Sequence, residues 1–427
     1  MVVLRYVLVG LIGLMGLARL RILLLTLGFS ATESGRDSLQ YYLMAKAVIS
    51  GVNPYQPLNE LTQKFVGLIQ FFTHPTPSPP FIAVLSIPLS LFSVNQVYIV
   101  WFLFEMICLS LIAIMLSILW NERLNWIRAI CLFFLLLAWY PVMIELHDGN
   151  LLILLTALVL AALLALRKDH RIEAGILIGL SIAIKLITWP LMIYLIWKKD
   201  WRTLVAASIT TVVLNLVSLI VNGFGPFTDY YLKVSSQVFS IYHAFMLNLS
   251  LWSIGYRLFE GTGSSFLPNY FKAHPLIAIP GLAPLVSAGL VVAFLITGMV
   301  WAVHSCDMET AFAILVCIIV AISPISWDHY FVMIIISLVI MFRNLTRQSF
   351  PTWQTLIFII ITLMLFLFNE HIINIILKLN GGIDYLEIHG NHFTFSSSLL
   401  LLLPVMEIIA LTILLWRSEI NQKQVAI

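Results

Sequence analysis

Apolar residues run along this chain in long unbroken blocks, not in stripes of one face. Blocks of about 17 residues or more are what a bilayer crossing needs. Clear ones lie near 4–28, 97–119, 127–146, 150–166, 202–221, 276–303, 310–323, 330–342, 351–369 and 396–416, the shortest of them marginal in length. A chain in lipid must satisfy its own backbone hydrogen bonds, so these runs predict helices. The two-residue alternation of a membrane β-barrel is absent. The expected fold class is therefore all-α, a polytopic transmembrane helical protein.

Two stretches resist a simple reading. Residues 80–93, PPFIAVLSIPLSLF, are short and interrupted by Pro88, and residues 172–197 carry Lys185 and Pro190 in mid-run. Basic clusters mark the cytoplasmic side of membrane proteins. Here they are NERLNWIR (121–128), RKDHR (167–171), WKKDWR (197–202), RNLTR (343–347) and RSEINQK (417–423). All fall on one side if 80–93 lies on the outer interface and 172–197 breaks near Lys185 into two short crossings. That arrangement gives about twelve spans with both termini inside. An unbroken 172–197 with 80–93 crossing also gives twelve, but strands two basic clusters outside. The first is preferred. Met1 to Phe29 is too long for a signal peptide and lacks its small-residue cleavage site, so it reads as the first span.

The outer face then receives residues 29–79, 222–274, 324–329 and 370–395. Amphipathic, aromatic stretches such as FTDYYLKVSSQVFSIYHAF (227–245) predict extracytoplasmic interfacial helices. Composition narrows the class without changing it. Of 427 residues, 61% are hydrophobic and only 10% charged, against about 25% charged in soluble domains. The net charge is +3, spread over short clusters, which gives nucleic-acid binding no support. Cys108, Cys131, Cys306 and Cys317 all sit inside or beside apolar runs and read as small hydrophobes.

Polar constellations on the expected outer side are the candidates for chemistry. Asp37 opens SGRDSLQYYLMAKAVISGVNPY, where it either caps a helix from about Ser38 to Ser50 or does proton chemistry. Tyr41 and Ala45 would share its face, Gly51 would stop the helix and Asn53-Pro54-Tyr55 would turn the chain. In FFTHPTPSPPF the prolines stiffen the approach to His74. In WYPVMIELHDGNLL, Glu145, His147, Asp148 and Asn150 interrupt apolar helix, as a hairpin turn or as groups facing a cavity or one another. Pro324 breaks a span before Trp327, Asp328, His329 and Tyr330. With no third ligand nearby, the expectation is no metal there. Lys185, too far from the ends of an unbroken helix to snorkel easily, needs an anionic partner or a hydrated cavity, and a lipid phosphate would serve as the former. Arg19 and Arg21 pose the same question in the first span.

Taken in order, Asp37, Tyr41-Tyr42, Ala45, Gly51 and Asn53-Pro54-Tyr55 resemble the first outer loop of glycosyltransferase family 87. The likeness continues through PSPPF into IPLSLF, AGILIGLSIAIKLITWPLMIYLIWKKDWR, NLSLWSIGYRLF (248–259) and SPISWDHY. The resemblance implies a GT-C fold, with residues 1–221 a transmembrane module bearing a first outer loop at 29–96. Residues 222–427 would form an outer loop with interfacial helices and a variable C-terminal transmembrane module. It also implies a polyprenyl-phosphate sugar as donor, a lipid or glycan acceptor, and a bacterial-type plasma membrane. It would make Asp37 the catalytic carboxylate, set His329 near the reacting centre and Lys185 near the donor phosphate. One departure stands out: His147-Asp148-Gly149-Asn150 replaces the family's frequent Gly-Gln-x-Asn.

The chemistry suits the residues. A phosphate-activated sugar needs only an acceptor deprotonated in line and a balanced leaving charge. A carboxylate does the first and a cation the second, with inversion as the outcome. Asp37 is thus the expected base. Lys185, His329, Asp328, His74, Tyr41, Tyr55, Arg257, Asn248, Asp148 and Asn150 form the expected substrate-binding set. Mannose is the first expectation for the sugar; no GxGxxG or Rossmann signature is present, which fits a lipid-linked rather than a nucleotide-linked donor, and no cofactor is expected. The competing class is a transporter or flippase of a lipid-linked sugar, which would show inverted repeats that this chain lacks. A ligase taking a diphosphate donor would show paired outer arginines, whereas only Arg36 and Arg257 are there.

Overall fold

A computed structural model of the chain describes residues 2–27, 36–67, 72–263, 272–347, 352–368, 371–372, 375–376, 392–393 and 395–425. Of the loops expected outside the bilayer, residues 28–35, 68–71, 264–271 and most of 370–395 lie outside the described residues. The chain forms two compact units, Met1–Val238 and Phe239–Ile427.

Among the described residues the first unit is mostly helical. It contains α1 (Val2–Leu27), α2 (Asp37–Ile49), α3 (Leu58–Phe65), α4 (Pro80–Leu85), α5 (Val94–Asn121), α6 (Trp126–Ala138) and α7 (Tyr140–Asp148). There follow α8 (Leu152–Arg167), α9 (Arg171–Ile184), α10 (Pro190–Trp197), α11 (Trp201–Asn222) and α12 (Phe224–Asp229). A π-turn at Tyr230–Val234 leads into α13 (Ser235–Tyr242), so the stretch read as amphipathic is helical. Prolines punctuate these runs where the sequence has them. Pro141 starts α7, which bends 73° from α6, and Pro190 starts α10. Each ring suits a first helical turn and cannot continue a preceding one.

Pro88 has the same effect on 80–93, which is one short helix followed by a 3-10 turn at Ile87–Leu91. The break expected in 172–197 falls at Lys185 itself, extended at φ −152° and ψ 117°. Arg19 reaches from α1 to the Met143 sulfur on α7 at 3.0 Å. Helices α9 and α11 pack tightly because Gly175 lacks a side chain. A Cβ there would stand 2.5 Å from the Thr203 carbonyl oxygen. Small residues let helix backbones approach closely in lipid.

The second unit comprises α14 (Trp252–Phe259), α15 (Leu282–His304), α16 (Met308–Ile322), α17 (Ile335–Arg347), α18 (Thr352–Leu363), α19 (Phe395–Leu400) and α20 (Leu403–Val425). A 3-10 segment, Asp328–Ile334, precedes α17, and Lys272–Ala273 pairs in parallel with His392–Phe393. Its core is α16, buried from Glu309 to Ile322 and apolar all round beyond its first turn. That is the pattern of a helix enclosed by others.

Among the described residues, five helical segments are long and apolar enough to cross a bilayer. They are Val94–Asn121, Trp201–Asn222, Leu282–His304, Asp328–Thr346 and Ser398–Ile420, with α6 and α7 together a sixth as a bent pair. Five more apolar helices among the described residues, α8 and α16 included, are only 10–17 residues long. Arg167 closes α8 after 16 residues, a rise of about 24 Å against a hydrocarbon core of about 30 Å. The chain is a polytopic α-helical membrane protein.

Candidate functional site

The site forms where two loops meet the start of α2. Of the two roles open to Asp37, the cap is not the one it takes: it is itself the first residue of α2, Arg36 holds the cap position and no described side chain caps the helix. The Asp37 carboxylate is taken up by other side chains instead. Gln40, one turn on, donates to Oδ1 at 2.7 Å, and Asn150 Nδ2 donates to Oδ2. The stop of α2 is as expected: Gly51 adopts φ +66°, with Gly51 N donating to Val48 O and Val52 N to Ala47 O. That reciprocal pair is a Schellman closure. Asn53 Oδ1 then accepts the Tyr55 N–H at 2.9 Å, turning the chain.

Asn150 reaches Asp37 because of the turn between α7 and α8. Gly149 ends α7 at φ +69°, where a Cβ would lie 2.8 Å from Ser38 Oγ and 2.9 Å from Trp101. Only glycine combines that conformation with that close approach. Asn150 Oδ1 accepts from the Leu151 N–H at 2.6 Å and from Lys185 Nζ at 3.0 Å. One amide thus bridges carboxylate and ammonium. Lys185 arrives from the break between α9 and α10, which frees its side chain from a helical ladder.

Further carboxylates surround this bridge. Asp148 bonds to His147 Nδ1 at 2.9 Å, both about one-third exposed. Glu145, fully buried, accepts through Oε1 from the backbone N–H of Leu152 and of Ile153, the latter at 3.1 Å. Glu105 on α5 is buried too, in electrostatic reach of Glu145, Asp148 and Asp37. Among the described residues neither of its oxygens closes a hydrogen bond of ordinary geometry, even with the Trp101 indole beside it. Asp37, outside the crossing-capable helices, has its pKa raised to about 6, first by burial and then by the Asp148 charge; Asn150 and Lys185 pull it back. Such a carboxylate is ionised at neutral pH yet more basic than a surface one.

Of the expected site residues, Asp37, Asp148, Asn150 and Lys185 come together. Tyr41, buried on α2, packs its ring 5.0 Å from Trp101. Tyr55 is committed to the scaffold, donating to Ser78 O at 2.9 Å and packing on Tyr230. His74 is buried against Phe72, with Nδ1 2.8 Å from Pro75 O, and burial lowers its pKa so that it stays neutral. The second unit holds the rest. Asn248 pins its own loop to SPIS, donating to Pro324 O at 3.0 Å and accepting from Ser326 N at 3.1 Å. Arg257 donates to the carbonyls of Ser398, Met246 and Asn248. His329 Nδ1 lies 3.8 Å from Asp328 Oδ1. Gln40 and Glu105 were not anticipated. A lone acid in mid-span was the available signal for Glu105.

These features define a membrane protein with a charged side-chain cluster at the junction of its helices. A family model for glycosyltransferase family 87 matches residues 78–324, more than half of the chain. The chain therefore belongs to glycosyltransferase family 87, and Asp148, Asn150 and Lys185 lie within the matched segment while Asp37 precedes it. No curated protein matches it.

Proposed function

We propose that this glycosyltransferase is an inverting enzyme of GT-C type with about twelve crossings. It moves a sugar, mannose in the first instance, from a polyprenyl phosphate to a hydroxyl of a lipid or glycan acceptor. The reaction takes place at the extracytoplasmic face of a bacterial-type plasma membrane. Asp37 is the general base. It takes the acceptor proton as the acceptor oxygen bonds to the anomeric carbon. The bond from that carbon to the phosphate oxygen breaks, and the polyprenyl phosphate leaves with one more negative charge. Lys185 balances that charge. A single displacement inverts the centre, so a β-linked donor yields an α-linked product.

The observation that carries this reading is the Asn150 amide joining Asp37 to Lys185, with a base and a leaving-group cation on either side of one small polar group. A base near pKa 6 is ionised at neutral pH while keeping driving force for proton transfer. The test is transfer by membranes supplied with polyprenyl-phosphate mannose and a panel of acceptors. Asp37→Asn should lower the rate by about 10²–10⁴-fold while the protein still folds and binds donor. An Asp37→Ala enzyme that transfers at the parental rate would overturn the assignment.

A further inference from the structure

The mechanism above leaves Glu145, a fully buried carboxyl, unused. Glu145 sits in the last turn of α7, and its Oε1 reaches past the turn to accept the first two backbone N–H groups of α8, those of Leu152 and Ile153. The opening N–H groups of a helix have no partner within it. Asn150 could not supply one, because its own oxygen is spent on Leu151 N–H and Lys185. A cap from the preceding helix closes the segment between them into a small ring. Gly149 N also donates to the Glu145 carbonyl at 2.8 Å, so both ends of that ring are tied to one residue. Asn150 stands inside it. The other oxygen of Glu145 has no hydrogen-bond partner among the described residues and lies in electrostatic reach of Lys185.

We infer that Glu145 is a positioning residue for glycosyl transfer: by capping α8 across the turn, it fixes Asn150 where that amide can hold Asp37 and Lys185 together. It touches neither substrate nor the reacting atoms. The inference rests on the reading of Asp37 and Lys185 given above. What matters in it is the reach of an acceptor oxygen, so an amide of equal length should serve and a shorter carboxylate should not.

The experiment compares Glu145→Ala, Glu145→Gln, Glu145→Asp, Asn150→Ala and the double Glu145→Ala/Asn150→Ala enzyme in the transfer assay, with size-exclusion in detergent to confirm folding. Misplacing a reacting group by about 1 Å costs on the order of 10²-fold. Glu145→Ala should therefore lose that much in kcat with little change in KM for the donor. The double variant should be no slower than Asn150→Ala alone, since both changes remove one interaction. Glu145→Gln should regain most of the rate. If the alanine variant fails to fold, the comparison of Gln with Asp decides, active against slow. Losses that multiply, or an active Asp beside an inactive Gln, would overturn the inference while Asp37→Ala stays inactive. An active Asp37→Ala would instead overturn the reading beneath it.

Discussion

Two buried polar clusters, one in each unit, use similar residue types in opposite ways. In the second unit Arg257 and Asn248 spend their hydrogen bonds mainly on the main chain, at the carbonyls of Ser398, Met246, Asn248 and Pro324 and the N–H of Ser326. In the first unit Asp37, Asn150 and Lys185 spend theirs largely on one another, and Glu105 and Glu145 add buried carboxyl oxygens that find no hydrogen-bond partner among the described residues. Side chains that hold backbone make architecture. Side chains that hold each other, beside carboxyl oxygens left without a partner, keep a capacity for change. Burial alone does not separate the two; the partner does.

The sharpest way to break that contrast is to exchange the expected outcomes. Burial lowers the Arg257 pKa to about 9, which still leaves a cation at pH 7. Arg257→Met would orphan three carbonyls, each at about 1–3 kcal/mol, against a total stability of about 5–15 kcal/mol. Loss of the folded, monodisperse protein in detergent is the expected result, before any kinetic effect can be read. A folded Arg257→Met enzyme with a selective loss of donor binding would instead move Arg257 to the substrate side.

Lys185 should behave the other way. Lys185→Met removes the cation beside the bridge at a break where the helix is already interrupted. Folding should survive, and kcat/KM for the donor should fall by about 10²–10³-fold, the usual loss for one preorganised electrostatic contact. Lys185→Arg should recover part of it. Equal losses from Lys185→Met and Lys185→Arg would mean that shape, not charge, is what the position supplies.

The sequence carried some of this and hid the rest for physical reasons. Apolar runs and prolines located most of the helices, because both act locally; Pro88, Pro141 and Pro190 end or start elements where they stand. Lys185 marked its own break, since an ammonium is costly inside an apolar helix. The meeting of Asp37 with Asn150 spans 113 positions and was not legible, because it depends on Gly149 packing against Ser38. Nor could a sequence reader tell Arg257 from Lys185. Both are cations in apolar surroundings, and only the fold shows which one finds backbone carbonyls.

The smallest expected effect is also the one that most directly tests Asp37 as the strained member of its cluster. Its pKa is about 6 in the fold against an ordinary value of 3.8, raised mainly by burial. The folded protein therefore binds this proton more tightly than the unfolded chain does, and stability falls as pH rises between those two values. Above pH 6 the full cost is present. Asp37→Asn, neutral at every pH, should consequently raise the melting temperature at pH 7.5 even as it slows transfer. The gain should shrink as pH falls through 6 and vanish near 4. Transfer by the parental enzyme should show the matching limb, with kcat/KM falling about tenfold per pH unit below 6 as the base is protonated. Melting curves at several pH values, beside a pH–rate profile, read both. A variant no more stable than its parent at pH 7.5, or a rate flat down to pH 5, would place Asp37 with the residues that merely support the fold.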